Sequence, residues 1–218
     1  MSGRAGSTPP EFSERFAAEF RDLVIWRRDV RRFRPDPLED GCLERLIALA
    51  CRAPSVGNCQ PWRFVRVETE DRRAAVRASF RRANQSALDG YDGEAKALYA
   101  RLKLEGLDKA PVQLAVFADE TTGRGAGLGR QTMPEALRYS VVGAIHTLWL
   151  AARAEGIGLG WISILEPHVV VEALDVPADW TLVAYLCLGR PVEEHLDPEL
   201  ERAGWQDRAD LSELLFVR

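Results

Sequence analysis

WRRDVRRF, residues 26–33, is the stretch that decides how this 218-residue chain is interpreted. It sets four arginines around one acid, Asp29; they are Arg27, Arg28, Arg31 and Arg32. A guanidinium is planar, stays charged and can bind two oxygens of one anion, so such a cluster suits a phosphate. A solvated helix end would have the same composition, and the cluster alone does not decide between the two.

A second stretch, APSVGNCQPW at residues 53–62, is a polar loop closed by prolines on both sides. Its Ser55, Asn58 and Gln60 side chains both donate and accept hydrogen bonds, which suits the edge of a planar heterocycle. An ordinary turn after a helix would also explain this loop by itself. Taken together, the two stretches predict a ligand that carries both a phosphate and a ring.

Composition narrows the class of protein. The length fits one domain with a sizeable core, and 46% hydrophobic with 28% charged residues is an ordinary globular balance. The net charge of −4 disfavours a nucleic-acid partner. No apolar leader segment opens the sequence and no apolar run is long enough to span a membrane, so we expect a cytoplasmic protein.

Metal and disulfide chemistry are disfavoured by residue spacing. The four cysteines form no CxxC pair, and the three histidines have neither HxxxH nor HExxH spacing. We therefore expect reduced thiols in the core and no metal site.

Apolar periodicity and turn residues predict an alternation of helices and strands. The expected helices are 12–28, 41–52, 135–155 and 167–174, and the expected strands are 62–68, 112–118, 159–165 and 182–188. Residues 1–11 are expected to be disordered. Residues 69–109 are charged and helix-prone and interrupt two strands, which is typical of an inserted lid. The tail 193–218 ends in an apolar cluster suited to packing on a partner subunit.

The glycine-rich run GRGAGLG, residues 123–129, invites comparison with a dinucleotide-binding loop. No glycine follows a GxG pair at the required spacing, and the next helix begins too late. The run therefore predicts a mobile surface loop.

RRDVRRF and PSVGNCQPW resemble the phosphate and flavin segments of the FMN-binding nitroreductase-fold superfamily, and the likeness extends from about residue 12 to the tail. The runs GLGW and LGRP fit as well. Within the superfamily, the chain is most similar to the branch that consumes FMN. The points of likeness are Asp29, where ordinary nitroreductases usually carry serine, and the runs APSVGNCQPWRF, GWISILEP and DPELERAGWQDR.

This resemblance implies a homodimer of α+β fold, with a mixed β-sheet flanked by helices and FMN at the subunit interface. Residues 12–218 would form a single FMN-binding domain, with 69–109 as a helical lid insertion. Reduced FMN would react with O2 and be fragmented to 5,6-dimethylbenzimidazole, the base of the lower ligand of cobalamin, and erythrose 4-phosphate. A separate flavin reductase would supply the reduced FMN.

The resemblance also implies roles for particular residues. Asp29 and Ser163 would be the two residues tied to turnover. The FMN contacts would be Arg27, Arg28, Asp29, Val30, Arg31, Ser55, Asn58, Gln60, Leu104, Ser163 and Arg202.

The residues alone leave other roles open for Asp29 and Ser163. Asp29 could simply neutralise its neighbours, and Ser163, expected in the C-terminal half of strand 159–165, could be a core hydroxyl. We expect the arginines to keep Asp29 ionised, ready to accept a proton, and Ser163 to relay one.

Two alternatives remain at this point. A NAD(P)H-dependent nitroreductase or flavin reductase of the same fold would keep its FMN intact, and Asp29 disfavours it only by analogy. The other alternative is a non-catalytic FMN carrier or sensor. Attached regulatory domains would favour it, and this chain has no room for them.

Overall fold

A sheet with strand order β1-β2-β4-β3 lies at the centre of the fold, and each neighbouring pair is antiparallel. The strands of this computed structural model are β1 Trp62–Arg66, β2 Val112–Asp119, β3 Gly158–Ile162 and β4 Trp180–Gly189. The structure describes residues 9–102 and 105–218. A parallel bridge between Asp29 and Leu159 adds the WRRDVRRF segment to the other side of β3.

Helices cover both faces of this sheet. They are α1 Glu14–Trp26, α2 Cys42–Ala50, α3 Glu70–Asp89, α4 Gly93–Arg101, α5 Gly106–Lys109, α6 Ala136–Ala154, α7 Pro167–Leu174 and α8 Glu199–Arg202. The predicted α+β architecture is confirmed, and the predicted helices and strands agree with these bounds to within a few residues. None of the described helices is both long enough and apolar enough to cross a membrane.

The core has two parts because β2 and β4 are buried on both faces. Leu114 and Val116 of β2 point towards α2 and α6, whereas Ala115 and Phe117 point to the opposite face. Successive side chains of a strand alternate between faces, so a strand covered on both sides is apolar throughout. This explains the continuous apolar run that predicted β2.

The predicted insertion 69–109 divides into an anchored and a less buried part. Helix α3 buries Val76 and Ser79, and the Ser79 hydroxyl accepts a 2.9 Å hydrogen bond from the backbone N–H of Glu166. Helix α4 buries none of its described side chains and is tied to α3 by a 2.9 Å hydrogen bond from the Tyr99 hydroxyl to Asn84. The insertion is therefore anchored to the rest of the fold through the first half of α3.

Two sequence predictions fall at the limits of the described chain. Leu104 lies outside the described residues, as do residues 1–8 of the segment expected to be disordered.

Strand β3 is shorter than predicted, which moves Ser163. The strand ends at Ile162, and the Ser163 carbonyl accepts a hydrogen bond from the backbone N–H of Leu165 in a turn before α7. Ser163 is therefore exposed beyond the strand, and its predicted place inside a strand was wrong. The apolar residues Ile164 and Leu165 extended the sequence pattern past the point where pairing with β4 stops.

Candidate active site

The WRRDVRRF segment lies against β3 because two glycines leave room for it. A Cβ atom on Gly160 would collide with the Val30 carbonyl oxygen, and one on Gly158 would lie 2.8 Å from a Val30 methyl carbon. Because neither glycine carries a Cβ atom, Val30 can lie close to β3, and its N–H donates a 3.0 Å hydrogen bond to the Leu159 carbonyl. The run GLGW thus lets the arginine segment pair as an additional strand residue.

Asp29 is fixed at this edge of the sheet. Its Oδ1 accepts a 2.8 Å hydrogen bond from the Trp161 backbone N–H, and its Oδ2 lies 3.9 Å from Nε of Arg31. Although 38% of its side-chain surface is exposed, desolvation by the surrounding protein raises the pKa of Asp29. The Trp161 hydrogen bond and the charges of Arg31 and Arg27 oppose this rise.

The net direction of that pKa shift differs from our expectation. We expected the arginines to dominate and favour the ionised form, but loss of water outweighs them because Arg31 does not contact the carboxylate directly. A carboxyl with a raised pKa is better suited to exchanging a proton near neutral pH than an ordinary surface aspartate.

A pocket lies between WRRDVRRF, the C-terminal half of α6 and the segment 191–202; we call it the arginine pocket. Six of the predicted site residues line it: Arg27, Arg28, Asp29, Val30, Arg31 and Arg202. Trp149 of α6 contributes a wall, and its indole N–H donates a 3.1 Å hydrogen bond to the Arg28 carbonyl. The structure therefore gathers the predicted phosphate residues into one place.

Carboxylates neutralise most of the cations in the arginine pocket. The pairs are Arg32 with Glu193 at 2.6 Å, Arg153 with Glu194 at 2.6 Å, Arg202 with Asp197 at 3.3 Å and Arg31 with Glu199 at 3.7 Å. These acids come from the segment 193–199 and were not among the predicted site residues. Its run of acids, VEEHLDPELE at residues 192–201, was the available signal.

Arg27 and Arg28 differ from the other arginines, since no carboxylate of the described residues pairs with either. The guanidinium carbon of Arg27 lies 4.9 Å above the Trp149 ring. Nε of Arg28, like Nε of Arg31, is buried without a hydrogen-bond partner, while Nη2 of Arg28 donates to the Ile25 carbonyl. A buried donor without a partner is costly, so it points to an anionic ligand that accepts from it.

The loop 55–60 lies elsewhere on the protomer. Its Val56 N–H donates a 3.0 Å hydrogen bond to the Ser140 hydroxyl near the start of α6, whereas Arg28 contacts Trp149. Trp149 lies nine positions after Ser140 in the helix, which is about 14 Å along the axis. One protomer therefore does not bring Ser55, Asn58 and Gln60 to the arginine pocket.

Ser163 does not line the arginine pocket as far as the structure describes it. One residue separates it from Trp161, whose N–H holds Asp29, so the α-carbons of Ser163 and Trp161 are at most about 7 Å apart. The described residues also contain no cluster of histidine, cysteine or acidic side chains that could hold a metal ion.

This fold and site define a class of protein: the chain belongs to the nitroreductase family, whose model matches residues 24–190. Among curated proteins it is 58% identical to the 5,6-dimethylbenzimidazole synthase of Rhodospirillum rubrum, over 92% of this chain and 95% of that protein. It is 50% identical to the 5,6-dimethylbenzimidazole synthase of Rhodobacter capsulatus, over 85% of this chain and 90% of that protein.

Solved structures are similar as well. Iodotyrosine deiodinase bound to FMN and 3-iodo-L-tyrosine is 25% identical with a TM-score of 0.71, over 91% of this chain and 97% of that one. An FMN complex of a Desulfovibrio desulfuricans protein is 21% identical with a TM-score of 0.63, over 91% and 96% of the two chains, and supports the fold alone. The predicted nitroreductase-like fold is confirmed.

Proposed function

We propose that this protein catalyses the O2-dependent fragmentation of reduced FMN to 5,6-dimethylbenzimidazole and erythrose 4-phosphate, acting as a homodimer in the cytoplasm. One observation carries the proposal: a carboxylate, Asp29, is held at the mouth of a pocket whose buried Arg28 Nε lacks an acceptor. The synthases of the two bacterial relatives, at 58% and 50% identity, favour this reaction over NAD(P)H-dependent nitroreduction.

The residues present fit the phosphate of FMN. Arg28 and Arg27 lack carboxylate partners among the described residues, so the phosphate can take charge-assisted hydrogen bonds from both. The acids of 193–199 hold the other arginines in place and prevent the anion from binding at several positions. Arg31, whose Nε is also buried without a hydrogen-bond partner, and Arg202 line the same pocket and would extend the phosphate site.

A homodimer is supported by apolar surface that a single protomer leaves uncovered. No residue of α1 is buried, yet one face carries Phe16, Phe20 and Val24, all more than 40% exposed. Leu214 and Phe216 of the tail are about two-thirds exposed. Apolar surface of this extent marks an interface. A second copy would also supply the loop 55–60 that one protomer keeps away from its own arginine pocket.

Bound reduced FMN supplies the electrons for O2 and the carbon skeleton of the product. The protein would orient this ligand and move protons around it. Oδ1 of Asp29 is occupied by the Trp161 N–H, which leaves Oδ2 to accept a proton from the ribityl chain. The Ser163 hydroxyl, exposed beyond β3, would pass a proton onwards, and α4 would exclude water from the closed site.

Reducing equivalents would come from a separate flavin reductase. In support of this, the run GRGAGLG does not open a helix as a dinucleotide-binding loop does; it forms a short 3-10 turn, Arg124–Gly127, which packs beside residues 56–59.

A single-turnover experiment tests the proposal. The protein is mixed with chemically reduced FMN, air is admitted, and 5,6-dimethylbenzimidazole is identified by mass and retention. We expect product in an amount equal to the FMN lost. Complete reoxidation of FMN with no ring fragment would refute the proposal, and NAD(P)H-driven reduction of nitro and quinone acceptors would then be measured.

A further inference from the structure

Two strained loops face each other beside the start of α6. One is the loop 55–60 and the other is the glycine-rich loop 123–129. Non-glycine residues with positive φ among those described are Asn58, Gln60, Ala126 and Asp175, and three of these four lie in the two loops. Such backbone persists only where the surroundings hold it, and it clusters at functional sites.

The loops touch through reciprocal glycines. A Cβ atom on Gly125 would lie 2.5 Å from the Gly57 carbonyl oxygen, and one on Gly57 would lie 3.2 Å from the Gly125 carbonyl oxygen and 2.8 Å from that of Leu128. Further along, a Cβ on Gly129 would lie 2.8 Å from a Val56 methyl carbon. The two backbones therefore approach more closely than any side chain permits. The sequence prediction of a mobile surface loop does not fit these contacts.

Helix α6 holds the loop 55–60 from another direction. The Ser140 hydroxyl accepts from the Val56 N–H at 3.0 Å and donates to the Ala136 carbonyl at 2.6 Å. Inside the loop, the Gln60 N–H donates a 3.0 Å hydrogen bond to the Ser55 hydroxyl. The side chain of Asn58 remains exposed and accepts from the Gln60 amide at 3.3 Å. Hydrogen bonds thus hold the loop in place, and Asn58 at its edge faces solvent.

We propose that Gly125 and Gly129 are positioning residues for the flavin ring: they set the backbone of loop 55–60 so that Ser55, Asn58 and Gln60 can meet the isoalloxazine. This inference rests on the proposed function, in which that loop binds the ring end of FMN and the arginine pocket binds the phosphate end. It assigns to GRGAGLG a role in flavin recognition that does not involve contact with the phosphate.

Alanine substitutions in the glycine loop test this. Gly125 and Gly129 have similar positive φ angles, +75° and +79°, so alanine strains the backbone at both; Gly125→Ala in addition meets a backbone carbonyl, whereas Gly129→Ala meets only a side-chain methyl. Gly123→Ala meets nothing within 4 Å at an ordinary φ of −76°. Dissociation constants are measured for FMN, for riboflavin, which lacks the phosphate, and for erythrose 4-phosphate, which lacks the ring.

We expect Gly125→Ala to weaken the binding of FMN and of riboflavin by the same factor, about tenfold, while its affinity for erythrose 4-phosphate equals that of the wild type. Gly129→Ala should lose less flavin affinity than Gly125→Ala. Adding Val56→Ala to the Gly129→Ala protein should restore part of that affinity, because it removes the Val56 methyl that the new Cβ would meet. Gly123→Ala should match the wild type throughout. Thermal unfolding of each variant shows that it folds, and Gly129→Ala carries the test if Gly125→Ala does not fold.

Two results would overturn the inference. The first is that the folded Gly125→Ala and Gly129→Ala proteins bind riboflavin with wild-type affinity. The second is that the affinities for riboflavin and erythrose 4-phosphate fall equally, which would indicate general damage to the protein. Failure of the proposed function is distinct from both, because the wild type itself would then bind no FMN or form no product.

Discussion

The backbone N–H of Trp161 donates a 2.8 Å hydrogen bond to Oδ1 of Asp29 and so joins β3 to the arginine segment. Gly160, next to Trp161, permits the close approach that this bond requires. The bond orients the carboxylate through Oδ1, while Oδ2 lies 3.9 Å from Nε of Arg31. It is the contact through which a local run of sequence, GLGW, determines the position of a distant acid.

Asp29→Asn should lower single-turnover product formation by at least about a hundredfold while FMN affinity changes only a few-fold. Asparagine keeps the shape and can still accept from the Trp161 N–H through Oδ1, but it cannot take up a proton. Product formation is measured after reduced FMN is mixed with air. Turnover at the wild-type rate would exclude Asp29 as a base.

The raised pKa of Asp29 predicts how stability depends on pH. A carboxyl whose pKa is higher in the folded than in the unfolded state contributes stability below its unfolded pKa, about 3.9, and loses it as pH rises through the folded pKa. Asp29→Asn should therefore be more stable than the wild type at neutral pH, with a difference that shrinks in acid. Thermal unfolding at several pH values measures this, and a constant difference across pH would contradict it.

Arg28→Ala should weaken the binding of FMN by roughly tenfold or more and leave the binding of riboflavin unaffected, because a charge-assisted hydrogen bond to phosphate is lost. Equilibrium titration of both flavins provides the measurement. Arg34→Ala is the matched control, since Arg34 is exposed, pairs with Asp36 at 3.0 Å and does not line the arginine pocket as described. An equal loss for FMN and riboflavin in Arg28→Ala would refute a phosphate contact.

Phe20→Asp should shift the protein from dimer to monomer, because it places a charge in the exposed apolar face of α1. Sedimentation equilibrium gives the mass. Ser86→Asp introduces the same charge at an exposed position of α3 and should leave the mass unchanged. A Phe20→Asp protein that remains dimeric would show that α1 does not form the interface.

Trp205→Ala should expose α4 to protease. The Trp205 ring lies 5.5 Å from that of Tyr91 and 6.2 Å from that of Tyr99, so the tail holds α4 in place through aromatic contacts. We expect trypsin to cleave faster at Lys96, by several-fold, with Trp205→Phe close to the wild type. Unchanged cleavage in Trp205→Ala would show that this cluster does not restrain α4.

Local pattern was sufficient to predict most of the elements. The apolar stripe of α6 and the continuous apolar run of β2 depend on near neighbours in sequence, and both were found close to their predicted bounds. The end of β3 was not, because the chain turns away from β4 after Ile162 although β4 itself extends to Trp180, and no local pattern marks that departure. Ser163 was misplaced for that reason.

By itself, the sequence determined the fold class, the resemblance to the nitroreductase superfamily and the residues that could hold a phosphate, since each of these depends on residue type and short spacing. Only the tertiary structure decided which arginines of WRRDVRRF remain without acidic partners, because the partners of Arg32 and Arg31, Glu193 and Glu199, lie more than a hundred positions away. It also decided the direction of the Asp29 pKa shift, which depends on how much water the surrounding chain removes. The close contact of GRGAGLG with loop 55–60 likewise joins two segments that nothing local connects.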